Sequence, residues 1–347
     1  MEKWQKILAN CITDAKTLNK LLKVDKKKLD EVAAKYPMRI NSYYLSLIKR
    51  KGDPIWKQCV PDALEVSLRT GKRDPLWEKK YSPFPGMIHR YKDRVLLAVS
   101  DMCFGYCRFC TRKRNIGTEE IVLPEKYVRK AFQYIARHKQ IRDVIISGGD
   151  PLVLSDAKIE YFLKNIRKIK HVEIIRIDSR SPCILPQRIT LKLCSIFKKY
   201  SPLYFNTHFN HYQEITKESR RACNMLADSG IILGNQAVLL AGVNDDAKTL
   251  KKLFEGLLTM RVRPYYLYIP DAVRGTYHFR VSIAKALKIM RELIGYTSGL
   301  AIPHLIIDLK RGGGKTPLLP KYIMRRKANR YVFKNFEKKT FYYADIS

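Results

Sequence analysis

The sequence predicts an α/β protein built on a partial (β/α)6 barrel, with a helical region before it and a small β extension after it. Six short apolar runs are separated by amphipathic stretches, at intervals of about 30 residues. That interval fits a βα repeat, because parallel strands need a crossover between them. The runs are almost continuously apolar, as expected of strands that are buried on both faces.

Each repeat has the same form, an apolar strand followed by a helix with a polar face. The predicted strands span 94–100, 143–150, 172–179, 203–209, 232–240 and 263–269. The helices are expected near 125–138, 156–169, 189–199, 215–229, 246–259 and 281–294. Six units favour a partial barrel over a closed eight-stranded one.

The regions on either side of the barrel have a different composition. Residues 1–90 are lysine-rich with a helical pattern, and turns that contain proline connect them to the barrel. We place the barrel at 91–310. Residues 311–347 combine a glycine-rich loop with a tail of alternating aromatic and charged residues, which indicates a small β extension.

Composition excludes several classes of protein. Of the 347 residues, 46% are hydrophobic, which allows a sizeable core and excludes a disordered chain. The chain has no run of eighteen apolar residues, so we expect no membrane span. The N-terminus lacks the apolar segment of a secretory signal, which predicts a cytoplasmic protein. Eight cysteines in such a chain are a weak sign of disulfides.

The net charge is strongly positive. Lysine and arginine number 67 against 32 acidic residues, which gives +35. An RNA-binding or RNA-modifying enzyme is therefore the alternative from a different functional class. A nucleic-acid site would concentrate its basic residues, whereas these are scattered along the chain. We favour a solvated basic surface and do not expect a nucleic-acid partner.

Polar and reactive residues gather where the predicted strands end. In a parallel barrel the carboxyl ends of the strands lie at one face and carry the functional groups. Cys103 follows the first predicted strand, and Gln236 lies in the fifth. The other strand-end residues of this kind are Ser147, Gly148, Gly149, Asp150, Ser179, Arg180, His208 and Asp271.

Three cysteines, Cys103, Cys107 and Cys110, form a C-x3-C-x2-C motif on one short segment. A structural zinc site needs four ligands, and no fourth is evident nearby. A [4Fe–4S] cluster held by three cysteines leaves one iron open to bind a substrate or cofactor. The alternatives are three buried thiols or a zinc site completed by a distant histidine.

This motif, directly after the first strand of a βα series, resembles the radical S-adenosylmethionine (SAM) superfamily. The resemblance implies that the open iron binds SAM and that an electron from the cluster cleaves it to a radical. It also implies that the SGGDP segment, residues 147–151, lies against SAM, since glycines allow a close backbone approach. Ser179, Arg180 and His208 are further candidates for SAM. Asp150 could equally cap the helix that follows.

The RGGGKTP segment places Lys315 in a glycine-rich loop. A P-loop would need a glycine at the position of Leu309, so that motif is excluded. A lysine in a flexible loop near strand ends can instead form a Schiff base with a cofactor aldehyde. Taken alone, a solvated loop lysine is the simpler interpretation.

A resemblance through nearly the whole chain favours the Schiff base. The segments YPMRINSYYLSLI, CRFCTRKR, ISGGDPL, FNTHFNH, LGNQAVLLAGVND, VRPYYLY and GGGKTP resemble the lysine 2,3-aminomutase family. The resemblance implies that Lys315 carries pyridoxal phosphate (PLP), that Arg90 and Arg94 hold its phosphate with Tyr91 close by, and that Gln236 lies near it. Guanidinium groups suit a phosphate dianion. Surface salt bridges are the alternative for the two arginines.

The resemblance also implies how a substrate is bound. Arg112 would hold the α-carboxylate of lysine, and Asp271 and Asp308 its ε-ammonium, although each aspartate could be a turn or cap residue. The implied enzyme is an isomerase that moves the 2-amino group of L-lysine to C3, giving β-lysine, with a [4Fe–4S] cluster, SAM and PLP as cofactors. Alternatives are another amino-acid substrate, or β-lysine supply for modification of elongation factor P. We also expect a flavodoxin- or ferredoxin-type electron donor and a homo-oligomer.

Overall fold

Nine strands form the main sheet of the computed structural model, which describes residues 1–68, 70–117 and 122–346. They lie in the linear order β1 to β9. They are β1 Met87–Tyr91, β2 Arg94–Ala98, β3 Asp143–Ser147, β4 Ile174–Asp178, β5 Leu203–Thr207, β6 Ile232–Val238, β7 Arg263–Tyr268, β8 His304–Leu309 and β9 Gly314–Pro317. Strands β2 to β8 are parallel, and β1 and β9 pair antiparallel at the two edges. The predicted open α/β barrel is confirmed, and β8 adds a seventh parallel strand.

The α-helices occupy the N-terminal region and the crossovers between strands. They are α1 Lys3–Ala9, α2 Ala15–Leu22, α3 Lys26–Lys35, α4 Ser42–Ser46, α5 Pro54–Cys59, α6 Leu64–Ser67, α7 Glu125–Arg137, α8 Asp156–Arg167, α9 Ser181–Ile184, α10 Leu191–Lys199, α11 Lys217–Asp228, α12 Ala247–Leu258 and α13 Ile283–Leu293. The six predicted crossover helices are confirmed to within about two residues, the usual uncertainty of a helix end. Within the described ranges, no helix has the length and apolar character needed to cross a membrane.

Polar N-caps explain where most crossover helices begin. Ser155, Thr190, Thr216, Asp246 and Ser282 each accept a hydrogen bond from the backbone amide three residues further on. Each cap satisfies an amide that the helix start would leave unpaired, which contributes about 1 kcal/mol. The caps fix the turn from strand to helix, and therefore the face on which the site is built.

Burial explains why the parallel strands of the main sheet are so apolar. Ile175 in β4 and Phe205 in β5 are fully buried, as are Leu163 in α8 and Leu253 in α12. All four belong to one continuous hydrophobic core. Each fully buried side chain of this size contributes roughly 1.5–3 kcal/mol relative to exposure, so the strands hold the strand-end residues on a rigid base.

The C-terminal part of the chain forms the predicted β extension. Strand β9 folds back on β8 and places Lys315 opposite Asp308. Three further strands, β10 Ile323–Lys327, β11 Arg330–Lys334 and β12 Thr340–Ala344, form a separate antiparallel sheet. The main sheet runs from β1 to β9 and so crosses both boundaries proposed for the barrel, which remain predictions.

Candidate active site

Two adjoining cavities border the main sheet, one at the carboxyl ends of the parallel strands and the other beside residues within the strands, such as Arg94 and Ile145. The cysteine cavity, of about 330 Å³, is lined by residues that include Cys103, Cys107 and Cys110. The arginine cavity, of about 300 Å³, is lined by residues that include Arg90 and Arg94. Both are lined by Glu78, Arg112, Asp178, Gln236, Tyr268, Asp308 and Lys315. Residues predicted to hold different cofactors therefore face one continuous space.

The cysteine loop follows β2 and directs three thiols to the same cavity. None of the three is in a disulfide. Burial raises the pKa of Cys110 to about 11, and the neighbouring Cys107 adds to the effect. Burial also raises the pKa of Cys103, with Asp150 close by. Thiols of this kind are protonated near neutral pH and release their protons when they bind iron.

The arrangement of the three cysteines, which line one cavity, is compatible with a [4Fe–4S] cluster. Across the part of the chain that the structure describes, no group of three or more His, Cys, Asp or Glu side chains is placed to hold one metal ion. A [4Fe–4S] cluster binds each cysteine at a different iron, so its ligands need not converge on a point. Thr207 lines the same cavity with a buried hydroxyl that has no hydrogen-bond partner among the described residues, which suits a polar cofactor.

Gly148 and Gly149 are needed by the protein's own backbone. Gly148 has a φ of +136°, a backbone conformation that residues with a side chain rarely adopt. A Cβ on Gly149 would lie 2.2 Å from the carbonyl oxygen of Met102, which also accepts a hydrogen bond from the Asp150 amide at 2.7 Å. The end of β3 thus packs against the start of the cysteine loop. Both glycines also line the cysteine cavity, and contact with SAM stays a prediction.

Replacing Gly149 by alanine is expected to destabilise the protein by about 2 kcal/mol or more, because a backbone carbonyl cannot move aside as a flexible side chain can. The unfolding midpoint and the iron bound after reconstitution should both fall. Gly299→Ala is the matched control, since a Cβ there would contact nothing within 4 Å. A Gly149→Ala protein as stable as this control would contradict the packing argument.

Asp150 caps the segment that follows β3. Its carboxylate accepts a hydrogen bond from the Leu152 amide at 3.0 Å. Asp150 is thereby the N-cap of a short 3₁₀ helix that begins at Pro151. It also accepts from the hydroxyl of Ser179 at 2.7 Å and from the Arg180 amide at 3.0 Å. Asp150 therefore caps a short helical turn, whereas the crossover helix α8, which it was expected to cap as an alternative, has Ser155 as its N-cap. Ser147 and Ser179 line the cysteine cavity as predicted strand-end residues, although the Ser179 hydroxyl is already bonded.

His208 lines the cysteine cavity as a neutral side chain. Its Nε2 lies 3.1 Å from Asn210 Oδ1, and its ring centroid is 5.6 Å from that of Phe109. Burial, with the charge of Arg180 close by, lowers the pKa of His208 to about 3. The ring can therefore stack or accept a hydrogen bond near neutral pH, and it carries no charge.

Tyr91 connects the predicted phosphate-binding strand to Lys315, which lies in strand β9 and not in the loop predicted from the sequence. Its hydroxyl accepts hydrogen bonds from Arg90 Nη2 at 2.7 Å and from the Lys315 amide at 3.0 Å. Arg94 stacks over its ring at 4.3 Å. Arg90 Nη2 also lies 2.9 Å from Asp308 Oδ1. Two residues with separate predicted roles, one for phosphate and one for substrate, are thus ion-paired.

Lys315 is reachable from the cavities and flanked by aromatic rings. Its Nζ lies 3.9 Å from Asp308 Oδ2 and 5.9 Å from the ring centroids of Tyr91 and Tyr268. The side chain is 34% exposed. An amine held between rings and open to a ligand suits a covalent bond to a cofactor aldehyde, which the solvated-loop alternative does not explain.

Arg112 is oriented by Glu78, a residue that was not predicted from the sequence. Its Nη2 lies 2.8 Å from Glu78 Oε1, and its Nη1 donates to the Gly148 carbonyl at 3.3 Å. Burial alone would raise the pKa of Glu78, but Arg112 and Arg114 hold it below its usual value. Glu78 lies in the irregular connector before β1, where no strand pattern marks it.

Asp271 and Asp308 are two carboxylates that line the cysteine cavity, and Asp308 also lines the arginine cavity. Burial raises the pKa of Asp271 to about 6, and although a hydrogen bond from Thr111 opposes this, the charge of Asp308 adds to it. The Thr111 hydroxyl donates to Asp271 at 2.9 Å. Asp308 lies within β8, so it is neither a turn nor a cap residue. Two poorly solvated carboxylates near each other favour a cation between them.

Gln236 is held by two residues that sequence reasoning missed. Its Nε2 donates to Asp178 Oδ2 at 3.4 Å, and its Oε1 accepts from the Tyr268 hydroxyl at 2.7 Å. Asp178 also accepts from Asn206 at 2.8 Å. Every second residue of a strand faces the same side. Asp178 could therefore have been predicted to line the same cavity as Arg176, two residues earlier in β4.

Comparison with known proteins finds matches for two parts of the chain, the barrel that carries the cysteine motif and the C-terminal part that carries Lys315. Residues 97–253 match the family model of the radical SAM superfamily, and residues 290–345 match the model described as lysine-2,3-aminomutase. An L-lysine 2,3-aminomutase of Fusobacterium nucleatum is 50% identical over 303 residues, covering 86% of this chain and 71% of that protein. One of Clostridium subterminale is 46% identical over 96% of this chain and 82% of that protein. A glutamate 2,3-aminomutase of Clostridioides difficile is 42% identical over 97% of this chain and 81% of that protein.

Proposed function

Because the chain belongs to the lysine 2,3-aminomutase family within the radical SAM superfamily, we propose that it isomerises L-lysine to β-lysine by moving the 2-amino group to C3. Relatives named for lysine and for glutamate are both similar to it, so the family alone leaves the substrate open. The observation that carries the choice of lysine is the pair of carboxylates, Asp271 and Asp308, beside Lys315.

The residues present fit the cofactors of this family. A [4Fe–4S] cluster, SAM and PLP supply the radical chemistry, while the protein supplies position and charge. Cys103, Cys107 and Cys110 would hold the cluster, as three free thiols that line one cavity. Lys315 would carry PLP. Four arginines line the arginine cavity, and three of them, Arg90, Arg94 and Arg176, suit a phosphate dianion.

Charge would orient the substrate within the shared space. Arg112, held by Glu78, offers a guanidinium to the α-carboxylate. Asp271 and Asp308 offer negative charge to the ε-ammonium of lysine. A substrate with an anionic side chain would instead meet two carboxylates in a poorly solvated site, where repulsion is strong. The wall therefore selects for the sign of charge on the substrate side chain.

Lysine binding is expected to weaken as the pH falls through about 6, the value to which burial raises the pKa of Asp271. Above that pH the carboxylate is charged and attracts the ε-ammonium; below it the group is neutral and the attraction is lost. The KM for lysine, measured from initial rates, should therefore rise on acidification. Asp271→Asn should show a high KM throughout and lose this dependence. An unchanged pH profile in the variant would contradict the assignment.

The proposed activity is tested by anaerobic assay of the iron-reconstituted protein with PLP, SAM and dithionite, given lysine and glutamate in separate reactions. We expect β-lysine from lysine and no β-glutamate. Formation of β-glutamate alone would keep the family but overturn the substrate. Neither product, from a protein loaded with all three cofactors, would overturn the proposed reaction.

We further propose a cytoplasmic homo-oligomer that receives electrons from a flavodoxin- or ferredoxin-type donor. The eight cysteines, all in the described part of the chain, are free thiols, as is usual in a reducing compartment. Phe341, Tyr342 and Tyr343 of β12 are exposed, and exposed apolar patches often mark protein interfaces. The net charge of +35 would attract an acidic electron carrier.

A further inference from the structure

A buried polar network ties the cysteine loop to the rest of the protein, with Arg180 at its centre. Arg180 is only 8% exposed. Its Nη1 donates to the sulfur of Cys107 at 2.8 Å. Its Nη2 donates to Glu214 Oε1 at 2.8 Å and to Gln58 Oε1 at 2.6 Å, and its Nε donates to the His208 carbonyl at 3.1 Å. Each of the three guanidinium nitrogens thus has a partner within the protein.

Glu214 is the fixed counter-charge of this network. It is fully buried and accepts hydrogen bonds from the Tyr44 hydroxyl at 2.5 Å and from the backbone amides of Asn210 at 2.6 Å and His211 at 2.8 Å. A buried carboxylate held by this many donors cannot move towards another partner. It therefore fixes one edge of the Arg180 guanidinium and leaves the other edge on Cys107.

The contact with Cys107 differs from the role predicted for Arg180 from the sequence. Resemblance implied a contact with SAM, and Arg180 does line the cysteine cavity. Its charged group, however, is directed to a sulfur that belongs to the cluster-binding motif. The relevant chemistry is therefore that of a cation and an N–H donor on a metal-bound thiolate.

We propose that Arg180 positions Cys107 for the iron–sulfur cluster and raises the reduction potential of that cluster, while Glu214 limits the increase. The proposal rests on the cluster assignment made under the proposed function. Reduction adds one electron to the cluster, taken from the external low-potential donor, and makes or breaks no bond. Positive charge and hydrogen bonds at the sulfurs stabilise the reduced, more negative state, whereas a nearby carboxylate opposes it. Burial strengthens both effects because the local dielectric is low.

The test is a redox titration of the iron-reconstituted protein, followed by the electron paramagnetic resonance signal of the reduced cluster, without SAM or amino acid. In Arg180→Gln the midpoint should become more negative, so that the ratio of reduced to oxidised cluster at a fixed potential falls about tenfold or more. Arg180→Lys keeps the positive charge, so in this variant the ratio of reduced to oxidised cluster should fall less. Glu214→Gln should shift in the opposite direction, towards easier reduction.

Arg188→Gln is the matched control, because Arg188 is also fully buried and its Nη2 is paired with a carboxylate, that of Asp156, at 2.8 Å. Its midpoint should stay at the wild-type value. Unchanged midpoints in Arg180→Gln and Glu214→Gln, or shifts of the same sign in both, would overturn the proposal. If Arg180→Gln fails to fold, the midpoint shifts of Arg180→Lys and Glu214→Gln decide the question, because the proposal predicts opposite signs for them. A wild-type protein that forms no reducible cluster would instead refute the proposed function.

Discussion

Replacing Lys315 by alanine is expected to reduce turnover of lysine by roughly 10³-fold or more, with loss of tightly held PLP. Lys315 has an amine reachable from the cavities, and its backbone in β9 is fixed by the Tyr91 hydroxyl, which accepts from its amide at 3.0 Å. Removing a group that holds a cofactor covalently disables the steps that depend on it, so the loss is large and is not additive with other site substitutions. The measurements are the rate of β-lysine formation and the visible absorbance of bound PLP.

Lys310→Ala is the matched control for this prediction. Lys310 begins the short 3₁₀ helix just before β9, is exposed and lines neither cavity. Its variant should keep both the absorbance and the activity. A Lys315→Ala protein that retains the absorbance of covalently held PLP would refute the assignment of Lys315, whatever its activity.

Asp271→Asn and Asp308→Asn should each lower kcat/KM for lysine by about 10²-fold or more, because each removes one of two charges facing a buried cation. Burial raises the pKa of Asp271 to about 6 even though the Thr111 hydroxyl donates to it, so this hydrogen bond only partly compensates for burial of the charge. Replacing it should therefore leave stability unchanged or improve it, even as activity falls. Loss of activity without loss of stability is typical of a residue kept for binding.

The two aspartates differ in what else they touch, and this guides the controls. Asp308 accepts from Arg90 at 2.9 Å and lies 3.9 Å from Lys315, so PLP loading must be measured in its variant. Asp271 contacts Thr111, and its variant should load PLP normally. The exposed Asp228→Asn serves as a neutral control. Unaltered kcat/KM for lysine in Asp271→Asn would show that the ε-ammonium is bound elsewhere.

The barrel is predictable from the sequence because its signals are local. Apolar strands such as the one ending at Asp178, and caps such as Thr216 at the start of α11, are readable within a few residues. The cysteine motif is local in the same way, since one short loop carries all three thiols. The structure adds β8 as a seventh parallel strand, which lies outside the six regular units.

The partners of the site residues could not be predicted, because they join distant parts of the chain. Glu78 pairs with Arg112 from an irregular connector, and Asp308 reaches Arg90 across 218 residues. The guanidinium of Arg180 lies on Cys107, 73 residues earlier. Such contacts depend on how the sheet curves and how loops pack upon it. A strand-end position indicates that a residue faces the site, but it does not say which group the residue binds.

The measurement that tests the central claim most directly follows nitrogen-15 from the 2-position of lysine through the reaction. The protein, loaded with iron, SAM and PLP and reduced anaerobically, is given this labelled lysine, and the product is analysed by nuclear magnetic resonance. The proposed isomerisation predicts that the label appears on C3 of β-lysine and that no labelled ammonium is released. Label that remains on C2 of an altered product, or that is released as ammonium, would contradict it.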